Sequence, residues 1–165
     1  MRQLVLTSRR KATDVKVHNQ TFRNAIPKFT NGKAVLIGDA AHFMLPSMSL
    51  TDLLTPLTIP AHGQGASISI EDAAALEVLL EGATSEDIVD RLQLFQSLRH
   101  PRATATQAMS NYMIQGGPKM IEEARKYYTG ALPPPGSKTF SQPFSDFFFQ
   151  YDIFEEAKKV LHTQK

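Results

Sequence analysis

Short apolar runs occupy the first part of the chain, and longer patterns with helical spacing follow them. The run 33–37 is apolar and β-branched, which predicts a buried strand over 34–37 that ends at Gly38. Two other short strands are predicted over 3–7 and 15–18. Later apolar residues recur with a broadly helical period and predict helices over about 66–80, 85–98, 102–115, 118–128 and 144–162. The pattern therefore predicts a mainly helical chain with a few short strands.

Residues that start and stop helices support these boundaries. Gly82 ends the first predicted helix, Thr84 or Ser85 with Asp87 begins the second, and Pro118 suits the first turn of the fourth. A proline-rich stretch, 132–136, predicts a stiff, extended break before the last helix. The core face of that last helix is predicted to comprise Phe147, Phe148, Phe149, Phe154, Val160 and Leu161.

Composition narrows the class of protein. A chain of 165 residues that is 42% hydrophobic can form one domain, here taken as 1–165, with its own core. The formal net charge of +2 gives no footprint for nucleic acid, and the absence of cysteine excludes disulfides and thiolate metal sites. No apolar run has membrane-spanning length, and residues 1–8 are too short for a signal peptide. We therefore expect an intracellular protein, most simply a cytoplasmic one.

The residues with the clearest chemistry lie between positions 38 and 72. They read Gly-Asp-Ala-Ala-His over 38–42, Gly-Gln-Gly-Ala over 63–66 and Glu-Asp at 71–72. Gly38 allows close approach of the backbone to a ligand, and an ionised Asp39 is an acceptor that suits a sugar hydroxyl. The predicted helix after Gly65 offers free N–H groups and a positive dipole end. Each piece alone is typical of an ordinary turn or helix cap, but their order is specific.

In this order the pieces resemble the second flavin-binding motif of the salicylate-hydroxylase-like, FAD-dependent aromatic hydroxylases. The resemblance implies an α/β family fold, of which this chain is a mainly helical C-terminal portion. It implies that Asp39 accepts a hydrogen bond from a ribityl hydroxyl of FAD, and that the 63–66 segment faces the pyrimidine side of the flavin ring. It further implies NAD(P)H as reductant and a small aromatic substrate. The implied cofactor-binding residues are Gly38, Asp39, Pro46, Gly63, Gln64, Gly65 and Ala66.

Three other stretches extend the resemblance. The segment 99–102, Arg-His-Pro-Arg, is similar to the Arg-x-x-Arg helix that packs behind the flavin helix in this family. The segments 149–152 and 29–33 are similar to its aromatic-Tyr-Asp stretch and to its lead-in to the strand.

Two departures from the family pattern affect the function. Sixteen residues separate Pro46 from Gly63, where the family has about two, and we expect the extra fourteen, 47–60, to be a flexible loop or translated intron sequence. The Gly-x-Gly-x-x-Gly fingerprint that binds the ADP half of FAD does not occur. The expected activity is an FAD-dependent monooxygenase that is incomplete in this chain, and the catalytic residues stay unassigned.

Two alternatives remain open at this point. The chain could be a non-catalytic helical remnant or interaction protein without flavin, which flavin absorbance would distinguish. It could instead be a metal hydrolase, for which the candidate ligands are Asp39, His42, His62, Glu71 and Asp72. These lack the helical spacing of known motifs such as His-Glu-x-x-His, and a metal assay would test them.

Overall fold

The computed structural model describes residues 23–44, 64–112, 117–138 and 141–163. These residues form two strands and six helices, which confirms the prediction of a mainly helical chain with short strands. In order they are β1 Thr30–Asn31, β2 Ala34–Val35, α1 Asp39–His42, α2 Gln64–Leu80, α3 Ile88–Tyr112, α4 Gly117–Arg125, α5 Gln142–Phe149 and α6 Ile153–His162.

The two strands form an antiparallel hairpin in which Thr30 faces Val35. The prediction of a buried strand over 34–37 was wrong, because the strand ends at Val35 and the next two residues are exposed. Leu36 is 44% exposed and Ile37 is 41% exposed. Within the described ranges β2 pairs only with β1, so the sheet is too small to cover both faces of an apolar strand.

Helix α2 begins at Gln64, two residues before the predicted start, and ends close to Gly82, whose φ is +66°. Its buried face carries one carboxylate, Asp72, among apolar side chains. This face packs against α3 and α6. The resulting core contains Phe29, Ala41, Ile68, Ala75, Val78, Leu79, Leu94, Phe95, Ala103, Ile153 and Ala157.

Helix α3 runs without interruption through Pro101, so the two helices predicted over 85–98 and 102–115 are one. A proline removes one helical hydrogen bond and disfavours helix before it, which is why the sequence predicted a break. Buried side chains on both sides of the proline, Arg99 and Arg102, are fixed by tertiary hydrogen bonds, and these override the local preference. Before the helix, Asp87 accepts hydrogen bonds from both the backbone N–H and the hydroxyl of Thr84.

The last predicted helix, 144–162, is two helices in the structure. Asp152 separates them because its carboxylate accepts hydrogen bonds from the backbone N–H groups of Phe154 and Glu155, which starts α6. The predicted core face is correct for Phe147 and Phe148, which are buried. It was wrong for Phe149 and Phe154, which are 71% and 45% exposed and which lie at the last residue of α5 and in the first turn of α6.

A second core lies between α3, α4 and α5. It contains Ala105, Met109, Met120, Ile121, Ala124, Phe144, Phe147 and Phe148. The predicted strands over 3–7 and 15–18 and the predicted insertion 47–60 lie outside the described residues. In the part of the chain that the structure describes, no helix is long and apolar enough to span a membrane.

Candidate functional site

A sharp turn at Gly38 presents Asp39 to solvent. Gly38 has φ +57° and ψ −142°, and its carbonyl accepts hydrogen bonds from the N–H groups of Ala41 and His42 at 2.9 Å. A Cβ at this position would lie 3.1 Å from Ser69 Oγ, so both the backbone angle and the space favour glycine. Asp39 is exposed, and its carboxylate has no hydrogen-bond partner among the described residues.

The start of α2 lies near this turn. Ser69, beside Gly38, donates a hydrogen bond from its hydroxyl to the carbonyl of Gly65 at 2.7 Å. Gly65 is half-buried, and a Cβ there would meet open space, while Gln64 is buried and Ala66 is exposed. Thus five predicted cofactor-binding residues occupy one neighbourhood of the fold, and Pro46 and Gly63 lie outside the described residues.

Behind the turn, Asp72 is fully buried and accepts three hydrogen bonds. Its Oδ2 accepts from the backbone N–H of Gly38 at 3.0 Å and from His42 Nε2 at 2.7 Å. Its Oδ1 accepts from Arg99 Nε at 2.9 Å. A carboxylate only accepts hydrogen bonds, so His42 Nε2 carries the proton in this contact. His42 is itself 1% exposed, and its Nδ1 has no hydrogen-bond partner in the part of the chain that the structure describes.

Two arginines of α3 complete a buried ionic cluster, defined here as His42, Glu71, Asp72, Arg99 and Arg102. Glu71 accepts hydrogen bonds from Arg99 Nη1 at 2.6 Å and, through both oxygens, from Arg102 at 2.9 and 3.0 Å. The remaining guanidinium donors bond to backbone carbonyls at residues 68 and 147. The two carboxylates balance the two guanidinium groups, so the cluster is electrically neutral when the imidazole is neutral.

Burial and the neighbouring charges act in opposite directions on the pKa of Asp72. Burial alone would raise the pKa of Asp72, but the hydrogen bond from His42, the positive charge of Arg99 and the N–H of Gly38 lower it below its ordinary value of 3.8.

The guanidinium of Arg102 stacks 3.8 Å from the Tyr151 ring and 4.8 Å from the Phe147 ring. Burial raises the pKa of Tyr151 to about 12 despite the nearby arginines, so its hydroxyl stays protonated at neutral pH.

The ionic cluster is what the sequence patterns missed. Glu71 and Asp72 entered the sequence analysis as part of the motif, but in the structure both side chains point to α3 and pair with arginines. The prediction that the 99–102 segment packs behind α2 is consistent with these contacts. Two arginines three residues apart, opposite an adjacent Glu-Asp pair, are the sequence signal that could have indicated the cluster.

The geometry gives no support to the metal hydrolase alternative. Asp72 is occupied by His42, Gly38 and Arg99, and Glu71 by the two arginines. Among the described residues, which exclude His62, no group of three histidine, aspartate or glutamate side chains is arranged to hold a metal ion.

A cavity of about 780 Å³ lies elsewhere, between the hairpin and the first turns of α3. Its lining includes Phe29, Asn31, Val35, Gln93 and Gln96. Asp39 does not contribute to it, so the turn and this cavity are at different places in the described residues. The candidate site is therefore the turn with Asp39, because the volume of a cavity does not by itself identify a ligand.

Comparisons with known proteins agree with the motif. The chain is 39% identical over 153 residues to the FAD-dependent monooxygenase cfoG of Aspergillus candidus, covering 92% of this chain and 31% of that protein. It is 34% identical to the FAD-dependent monooxygenase phomE of Diaporthe leptostromiformis, covering 92% of this chain and 36% of that protein. It is 31% identical to the hispidin-3-hydroxylase of Neonothopanus nambi, again covering 92% of this chain, and 29% of that protein.

The chain spans about a third of the length of these curated relatives. No protein-family model matches the chain, and no solved structure matches it. The similarity nevertheless covers nearly all of the chain and includes the turn, α2 and the arginines of α3. By this similarity the chain is a homologue of the FAD-dependent monooxygenases, and it matches a C-terminal portion of that family.

Proposed function

We propose that this chain provides the flavin-contacting C-terminal part of a monooxygenase that hydroxylates a small aromatic substrate with FAD, NAD(P)H and O₂. The names of its relatives support this proposal. They include a hydroxylase of hispidin and a 6-hydroxynicotinate 3-monooxygenase from Bordetella bronchiseptica, the latter 33% identical over 89 residues. The second name specifies a hydroxylated pyridine ring, which is the class of small aromatic substrate that we propose.

The observation that carries the proposal is the free carboxylate of Asp39. The Gly38 turn holds this residue on the surface, and no described residue competes for its oxygens. An ionised carboxylate accepts hydrogen bonds and repels phosphate, so it suits a ribityl hydroxyl of FAD better than the pyrophosphate.

The first turn of α2 fits the other side of the same cofactor. A helix N-terminus exposes free N–H groups and a partial positive charge, which stabilise negative charge on an adjacent group. The absence of a side chain at Gly65 leaves open space at this turn, so a planar ring can approach the backbone. When bound, FAD would supply the redox chemistry with NAD(P)H and O₂. The residues of this chain would orient the flavin and stabilise its charge.

Flavin affinity tests the proposal. We would join this chain to the N-terminal portion of the Aspergillus candidus relative, because the glycine fingerprint for the ADP half is absent here. Asp39→Ala should weaken FAD binding by about 1.5–3 kcal/mol through loss of one hydrogen bond to a charged group. Fluorescence titration of FAD measures this loss.

Asp90→Ala is the matched control, because Asp90 is an exposed carboxylate in the first turn of α3. It removes the same charge away from the turn and should leave FAD affinity unchanged. Equal FAD affinity in the Asp39→Ala and unmodified proteins would contradict the proposal.

A further inference from the structure

The turn that presents Asp39 is anchored at both ends by one buried carboxylate. Asp72 Oδ2 accepts from the N–H of Gly38, which precedes Asp39, and from the ring of His42, which ends α1. Asp39 therefore lies between two residues that are fixed to the same oxygen atom. From this geometry we infer that Asp72 and His42 are positioning residues, which hold Asp39 in place for a flavin hydroxyl. This inference rests on the proposed function of Asp39.

Only an ionised aspartate satisfies the groups that surround position 72. Gly38 N–H, His42 Nε2–H and Arg99 Nε–H all donate, and they approach both carboxylate oxygens. An asparagine amide has one accepting and one donating end, so one orientation opposes Arg99 and the other opposes Gly38 and His42. The site is fully buried, which leaves no water to relieve the conflict.

Two arginines of α3 support the Asp72 side chain from the other side, one directly and one through Glu71. Arg99 holds Asp72 through Nε and Glu71 through Nη1, while Glu71 also receives the planar fork of Arg102. The Asp72 side chain is therefore held in one orientation by a neutral, hydrogen-bonded cluster. A fixed carboxylate fixes the Gly38–His42 turn, and precise placement of a cofactor-contacting group is what such a support provides.

The test uses this chain and three variants: Asp72→Asn, His42→Leu and His42→Gln. The glutamine amide nitrogen can take the place of His42 Nε2 as a donor, so His42→Gln should rescue what His42→Leu loses. Asp152→Ala is the control, because Asp152 also accepts from two backbone N–H groups but caps α6 away from the turn.

The first measurement is amide hydrogen exchange at Gly38 by NMR. Asp72→Asn should speed exchange at Gly38 by about 10- to 100-fold more than exchange at amides of the second core, which is the loss expected for one hydrogen bond to a charged group. His42→Leu should speed exchange of the backbone amides at positions 41 and 42, and His42→Gln should restore their slower exchange. Exchange at Gly38 that changes no more in Asp72→Asn than in Asp152→Ala would overturn the inference.

The second measurement is the FAD-induced shift of the Asp39 amide signal, made on this chain joined to the N-terminal portion of the Aspergillus candidus relative. Asp72→Asn should weaken the FAD response at Asp39 about 10-fold or more, because a less ordered turn presents the carboxylate less often. Faster exchange at Gly38 with an unchanged FAD response would overturn the link between anchoring and flavin binding. No FAD response in the unmodified fusion protein would count against the proposed function, while the exchange data would still decide the anchoring.

Discussion

Two sets of ion pairs in this protein have similar N–O distances in different surroundings. In the buried ionic cluster, Arg99 contacts Glu71 at 2.6 Å and Asp72 at 2.9 Å, with Arg99 and Asp72 fully buried. On the outer face of α6, Lys158 contacts Glu155 at 3.0 Å, but both side chains are more than half exposed. Removing one partner from the buried cluster leaves a charge without solvent, whereas water replaces the partner on α6. Burial, more than distance, decides which pairs matter for stability.

The largest effect is expected from Arg99→Met. This change leaves Asp72 and Glu71 with fewer donors in a buried site, which should lower the free energy of unfolding by about 3–5 kcal/mol. Urea denaturation of the chain measures the loss. Arg91→Met on the same helix is the control, because Arg91 lies outside the cluster and is half-buried. A similar loss of unfolding free energy in both variants would show that the buried ionic cluster contributes no more to stability than Arg91 does.

Low pH should distinguish the buried ionic cluster from the surface pairs, because it protonates the buried Asp72. The pKa of Asp72 is lowered below 3.8 in the folded protein, so the folded state binds this proton less readily than the unfolded state does. The stabilisation is therefore complete above the ordinary aspartate pKa and is lost as pH falls through the lower folded value. Stability measured from pH 6 downward should fall less steeply in Asp72→Asn than in the unmodified chain. Parallel curves of stability against pH for the two proteins would contradict a lowered pKa of Asp72 in the folded state.

The smallest effect is expected from Lys158→Ala. Its ammonium is exposed and its pKa is raised mainly by the hydrogen bond to Glu155, a contact that solvent and salt weaken. The midpoint of thermal unfolding should stay unchanged within error, both at low and at high salt. A clear loss of thermal stability at low salt would show that the surface pairs resemble the buried ones.

The same distinction explains how much of the fold could be predicted from sequence. Gly38, Asp39 and the helix after Gly63 follow from local rules about turns and helix ends, and α2 lies within two residues of its predicted start. The continuity of α3 through Pro101 did not follow, because it depends on Arg99 and Arg102 contacts with another helix. The division at Asp152 could have been found, since an aspartate followed by two glutamates is an ordinary helix start.

The sequence patterns point to the exposed residues of the candidate site and do not point to its buried ones. Exposed Asp39 stands within a recognisable motif, whereas the partners of Asp72 are fixed by packing between elements that are distant in sequence. The exposure of Leu36 and Ile37 was also beyond the local pattern, because an apolar run shows preference for burial but not whether neighbouring strands are present to cover it.

The distances along the chain that Asp72 bridges also bear on the order of folding. Its three partners lie 27, 30 and 34 residues away, so each contact closes a long loop, whereas α2 and α3 form from bonds between near neighbours. Desolvating any one of these charges before its partners arrive is unfavourable, and we expect the cluster to stay hydrated until the helices have docked. Contacts that form after the folding barrier slow unfolding without speeding folding. The buried charges would then slow unfolding of the chain more than they speed its folding.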